Sequence, residues 1–232
     1  MSPTASGPIN SARSLFSSVI VKKAVMAATG AALYLFVTIH LLGNLQVFLG
    51  PEAINSYAAK LKSVPEIVWG ARLGLLATVG LHILTTIQLM RINAKARPTA
   101  YTKKANSAST VASRTMYLSG PTIAAFIVYH LLHLTVGSAH PQYSETDVYS
   151  NIVFGFRVWW VSAAYLIAMG LLCTHLRHGV QSMFQSLGFN HPLQTPRIKK
   201  FANAVGILYF TGFASMPLAA LTGFLPPFFE RL

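Results

Sequence analysis

Residues 126–135 read FIVYHLLHLT, placing two histidines, His130 and His133, three positions apart in a stretch that is otherwise almost entirely apolar. An ionisable side chain in such a run is costly within lipid and points to a function when it occurs there. The rest of the chain supplies the lipid context. Of its 232 residues, 53% are hydrophobic and 10% charged, a balance far from that of ordinary globular proteins. A bilayer core of about 30 Å needs about 20 apolar residues in a helix. Runs of that length occupy 24–49, 66–90, 115–138, 153–180 and 197–225.

The expected fold is therefore all-α, a single integral membrane domain over 1–232 with five transmembrane helices. The first run is too long for a cleaved signal and reads as a retained helix. Pro51 opens a stretch in which Ile54, Tyr57, Ala58 and Leu61 recur at helical spacing, which predicts a short interfacial helix over 51–62. Thr195 and Pro196 read as the N-cap and first residue of the fifth helix, Pro217 as a kink and Pro226-Pro227 as the stop.

The 18 Lys and Arg residues against five Asp and Glu give a formal charge of +13, and their distribution carries the meaning. Arg13, Lys22, Lys23, Arg91, Lys95, Arg97, Lys103, Lys104, Arg114, Arg177, Arg197, Lys199 and Lys200 fall on one side of the five runs. The other side has only Lys60, Lys62, Arg72, Arg157 and Arg231. Basic loops stay in the cytoplasm, so the N-terminus is expected there and the C-terminus outside, in a multi-pass protein of the cytoplasmic (inner) membrane. The basic excess then reads as a topology signal with an anionic-lipid contact, and a nucleic-acid partner is not expected.

Six of the eight histidines lie in the first four runs: His40, His82, His130, His133, His175 and His178. His140 and His191 fall in loops, where solvated side chains are expected. Helical rise assigns depths to the others. His40 lies 17 residues past Lys23 and His130 lies 16 past Arg114, about 25 Å up ascending helices, in the outer half. His82 precedes Arg91 by nine residues and His175 follows Arg157 by 18, which puts both in the inner half. Two pairs result, His40 with His130 and His82 with His175.

Zinc and copper sites want three or four protein ligands. No carboxylate falls well inside a run, and the lone Cys173 forms no CxxC or CxxCH motif. Haem iron needs only two axial groups, and bis-histidine b-type haem fits this count best. His130 and His175 are taken as ligands, with His133 and His178 as their alternates or as haem-edge residues. Gly43 and Gly179, each within one turn of a candidate ligand, leave room for a porphyrin edge or serve plain helix packing. Arg72 and Arg157 are placed for outer propionates, and Arg91, Arg114 and Arg177 for inner ones. Arg114 and Arg157 are also candidate quinone partners.

One histidine on each of the first four of five helices, carried by KKAVMAATG and TIHLLGN around His40, GLHILTT around His82, SGPTIAAFIVYHLLH around His130 and THLRHG around His175, resembles the single-polypeptide, di-haem cytochrome b anchor of the succinate dehydrogenase and fumarate reductase family. The resemblance implies His40 and His130 on an outer haem b and His82 and His175 on an inner one. It also implies flavoprotein and iron-sulfur subunits on the cytoplasmic face, with electrons passing through the haems to menaquinone or ubiquinone. No complete active site is expected in this chain alone. Two other readings stay open: a di-haem quinone-reactive cytochrome of a hydrogenase or formate dehydrogenase, and a haem-free transporter whose histidines relay protons.

Overall fold

A computed structural model of the chain describes residues 18–96, 115–140, 142–189 and 191–227. Arg13, Arg97, Lys103, Lys104, Arg114 and Arg231 lie outside the described residues. The molecule is all-helical: α1 (Val19–Asn44), continued by a 3-10 segment Leu45–Leu49, α2 (Pro51–Lys62), α3 (Pro65–Lys95), α4 (Met116–Leu131), continued by a π segment Leu132–Val136, α5 (Val148–Arg157), α6 (Trp159–Ser186) and α7 (Thr195–Leu221). Five of these, α1 with its 3-10 extension, α3, α4 with its π turn, α6 and α7, are long and apolar enough to cross a membrane.

The short α2 is tied to the bundle by its sequence. Gly50 turns the chain at φ 105 and Pro51 starts the helix, where its missing N–H is no loss. Ile54 is buried. The Asn55 amide donates to Asp147 Oδ1 at 3.0 Å while its Oδ1 accepts from the Tyr149 N–H at 3.0 Å. Asp147 in turn caps α5, accepting from the Ser150 N–H at 3.0 Å and the Ser150 hydroxyl at 2.6 Å.

The fourth apolar run is not one helix. Val158 is extended, with ψ 106, and separates the nearly fully buried α5 from α6. The Ser162 hydroxyl bridges the break by donating to the Phe156 carbonyl at 2.6 Å. Two helix ends also differ from the sequence reading. Thr195 is the first residue of α7 and Gln194 its cap. The helix stops at Leu221, where Gly223 at φ 78 reverses the chain and the Leu225 N–H closes onto the Ala219 carbonyl at 3.1 Å. A left-handed glycine after the last turn satisfies the terminal carbonyls, so Pro226-Pro227 is not what ends it.

The bundle is densest where α6 meets α7, and α1 packs on α3, α4 on α6 and α1 on α6. The diagonals α1 with α4 and α3 with α6 are not among the closely packed helix pairs of the described residues. Within their most apolar windows α6 and α7 bury 39% and 44% of residues, whereas α1, α3 and α4 bury 11%, 6% and 11%. Three of the five long helices therefore have little interior of their own.

Candidate functional site

The loosely packed diagonals are where the histidines meet. His40 of α1 faces His130 of α4 with ring centroids 5.8 Å apart and planes at 87°. His82 of α3 faces His175 of α6 at 6.5 Å and 58°. Two imidazoles sharing one metal, each about 2 Å from it through nitrogen, have centroids roughly 6 Å apart. Both pairs fit that span. Among the described residues no three His, Cys, Asp or Glu side chains converge as a metal-ligand group. The donor set suits a metal whose remaining positions are filled by a macrocycle.

The pairs sit at separate heights. Thr29, which meets His82, and His40 are 11 residues apart on α1. Ser119, which meets His175, and His130 are 11 apart on α4. Each interval is about 16 Å of helix, so two independent elements give the same separation between tiers.

Each ring has side-chain partners. His40 stacks on Phe36 at 5.4 Å and meets Phe213 at 6.2 Å, while its Nδ1 lies 3.4 Å from the Asn44 amide. His130 packs on Phe126 at 5.8 Å, with its Nδ1 3.3 Å from the Tyr165 hydroxyl. Nδ1 of His82 is 3.0 Å from the Thr29 hydroxyl, and Nδ1 of His175 is 3.3 Å from the Ser119 hydroxyl. Gly30 also adjoins the pair of His82 and His175: a methyl there would lie 3.6 Å from His82 Cε1.

The histidines three residues on lie elsewhere. His133 is fully buried, stacked on Tyr129 at 5.5 Å and on His140 at 4.9 Å, and its Nδ1 is 3.0 Å from the same Tyr165 hydroxyl. Its Nε2 is buried with no hydrogen-bond partner among the described residues. A stacked ring at 4.9 Å and 28° is not arranged for two nitrogens to share a metal between them. His178 lies 3.1 Å from the Ser182 hydroxyl, one turn along its own helix.

His140 lies in a loop as expected, but its side chain is not solvated. It is 8% exposed, accepts from the Gln142 N–H on Nδ1 at 3.0 Å, and donates from Nε2 to the Asn151 carbonyl at 2.9 Å. Both nitrogens are satisfied by backbone groups, which fixes the ring in place. His191 is exposed, as a loop histidine would be.

The glycines and arginines divide as well. A methyl on Gly43 would lie 2.8 Å from the Tyr57 hydroxyl, so Gly43 makes room for a side chain of α2. Gly179 has open space around it. Arg72, Arg91, Arg157 and Arg177 are all exposed. The Arg72 guanidinium lies 5.0 Å over the Trp69 ring and, with Lys62, Tyr143 and Glu145, lines a cleft of about 470 Å³.

Thr29, Ser119, Tyr165 and Gly30 escaped the sequence reading. Thr29 and Ser119 had a legible signal: each stands 11 residues before a histidine of the other pair, His40 or His130, three turns away on nearly the same helix face.

Residues 90–214 match the family model described as the succinate dehydrogenase/fumarate reductase transmembrane subunit. That stretch is more than half the chain and contains His130 and His175, with His40 and His82 before it. No curated protein and no solved structure matches the chain.

Proposed function

Since the chain belongs to the succinate dehydrogenase/fumarate reductase transmembrane-subunit family and is a multi-pass membrane protein, we propose that it is a di-haem member, conveying electrons between the iron-sulfur subunit of its complex and a membrane quinone. Membership sets aside the hydrogenase, formate dehydrogenase and transporter readings. The observation that carries the proposal is the pair of imidazole couples across the two loosely packed diagonals, at 5.8 and 6.5 Å.

His40 with His130 would hold one haem b, and His82 with His175 the other. Bound haem supplies a reversible one-electron couple. The chain's own residues place it: Phe36, Phe126 and Phe213 flank the first pair, and the packed pairs α1 with α3 and α4 with α6 fix the distance across each diagonal. Arg72 and Arg157 at one face, Arg91 and Arg177 at the other, offer guanidinium partners to propionates. Arg114 belongs with the second set by its position in the sequence. The charge distribution supports a cytoplasmic N-terminus and external C-terminus, which puts the flavoprotein and iron-sulfur subunits on the face nearer His82 and His175.

The test is a reduced-minus-oxidised spectrum with haem counted per chain. Wild type should hold two b haems and co-purify with a succinate-oxidising flavoprotein. His40→Ala, His82→Ala, His130→Ala and His175→Ala should each remove one haem, whereas a colourless wild-type complex overturns the reading.

A further inference from the structure

The Thr29 side chain is 8% exposed and its Oγ1 lies 2.8 Å from the Val25 carbonyl, 3.2 Å from the Met26 carbonyl and 3.0 Å from His82 Nδ1. A hydroxyl has one proton to give, and both carbonyls can only accept. With that proton committed to its own helix backbone, Thr29 can only accept from the imidazole. His82 then carries its proton on Nδ1, and Nε2 is left with a free lone pair.

Ser119 repeats the arrangement on the opposite side. It is fully buried, its Oγ lies 3.3 Å from His175 Nδ1, and its proton is directed to Met116 Sδ at 4.0 Å. Thioether sulfur is a weak acceptor, so this proton is held less firmly than that of Thr29. Ser119 stands on α4 and His175 on α6, and Thr29 on α1 and His82 on α3. Each hydroxyl thus reaches its ring across the packed pair, while the two rings face each other across the open diagonal.

Resting on the di-haem reading, we propose that Thr29 and Ser119 are the positioning residues of the inner haem: each hydroxyl takes the Nδ1 proton of its histidine and thereby presents two Nε2 lone pairs to one iron. A hydrogen bond accepted from the far side of a ligating imidazole fixes its tautomer and raises its basicity. A more basic ligand favours the ferric state, so loss of the acceptor moves the midpoint potential upward.

Thr29→Val keeps the branched shape and removes the acceptor, Thr29→Ser keeps the acceptor, and Ser119→Ala removes the second one. The inner haem is identified as the one missing from His82→Ala. In the purified complex, potentiometric titration and low-temperature electron paramagnetic resonance should show the inner haem of Thr29→Val shifted to higher potential, with altered g values or partial loss of that haem. The outer haem should be unchanged, and Thr29→Ser should restore the wild-type signal. Ser119→Ala should shift the same haem in the same direction, and it decides the matter if Thr29→Val fails to assemble. An inner haem with wild-type potential and g values in both variants overturns the proposal while leaving the di-haem reading intact. A wild-type complex without haem overturns both.

Discussion

His133 and His140 stack with ring centroids 4.9 Å apart, and Gly155 of α5 is pressed against the edges of both rings. The contact joins the π turn that ends α4 to the loop and helix that follow. It is also the tightest constraint on any glycine without a left-handed backbone, apart from Gly43.

A methyl group on Gly155 would sit 2.8 Å from His133 Cε1 and 3.0 Å from His140 Nε2. Neither ring can retreat, since His133 is fully buried and His140 is bonded at both nitrogens. Gly155→Ala is expected to cost about 1–3 kcal/mol, the usual penalty of overpacking. Thermal unfolding of the detergent-solubilised complex measures it, and an unchanged midpoint would contradict this packing.

Tyr165 is shared by two imidazoles, His130 at 3.3 Å and His133 at 3.0 Å. One phenol proton serves one ring, so the other ring must donate to the oxygen. Tyr165→Phe leaves two imidazole nitrogens, one of them fully buried, without that partner and is expected to lower stability by about 1–3 kcal/mol. If His130 ligates a haem, both haems remain and only the outer one changes its spectrum. His133→Ala should likewise retain both haems, and loss of the outer haem there would transfer the ligand role to His133.

Burial raises the pKa of Asp147, but hydrogen bonds from the Ser150 hydroxyl, the Ser150 N–H and the Asn55 amide outweigh it and hold the carboxyl below its ordinary value. A depressed pKa contributes stability that is fully present above the unfolded-state value and is lost as pH falls through the folded one. The tie between α2 and α5 should therefore weaken on acidification below about pH 4. Unfolding midpoints compared between wild type and Asp147→Asn check this: the variant should be less stable at neutral pH and lose less on going to acid.

The only cysteine, Cys173, is buried, so introduced thiols report topology with little background. Lys60→Cys should be labelled by a membrane-impermeant reagent in whole cells, and Lys199→Cys only after the membrane is opened. The reverse pattern would invert the charge-based orientation.

Much of the architecture was legible because lipid enforces long apolar runs, and helical rise converts histidine positions into depth. The spacings from Lys23 to His40 and from Arg91 back to His82 name the rings that the structure brings face to face. The break at Val158 was not legible, since neither neighbour, Arg157 nor Trp159, is a helix breaker and its cause is the separate packing of α5. His140 is a loop residue, but its burial was not legible because it depends on Asn151 and Gly155, distant enough in sequence to leave no periodic signature. Tyr165 serves His130 only through the pairing of α4 with α6. By contrast, the 11-residue interval from Thr29 to His40, repeated from Ser119 to His130, was available to a reader looking for polar groups in register with the histidines.

The sparse interiors of α1, α3 and α4 bear on biogenesis. A helix bundle normally finds its shape by closing on its own side chains, and here two of the four histidine-bearing helices, α1 and α3, bury only Thr29, Leu41 and Gly43, and Thr85. On the di-haem reading the prosthetic groups would act as the missing core, so that a newly inserted chain matures only when pigment arrives. Scarcity of that pigment would then surface as immature, protease-sensitive subunit rather than as a finished but inactive enzyme.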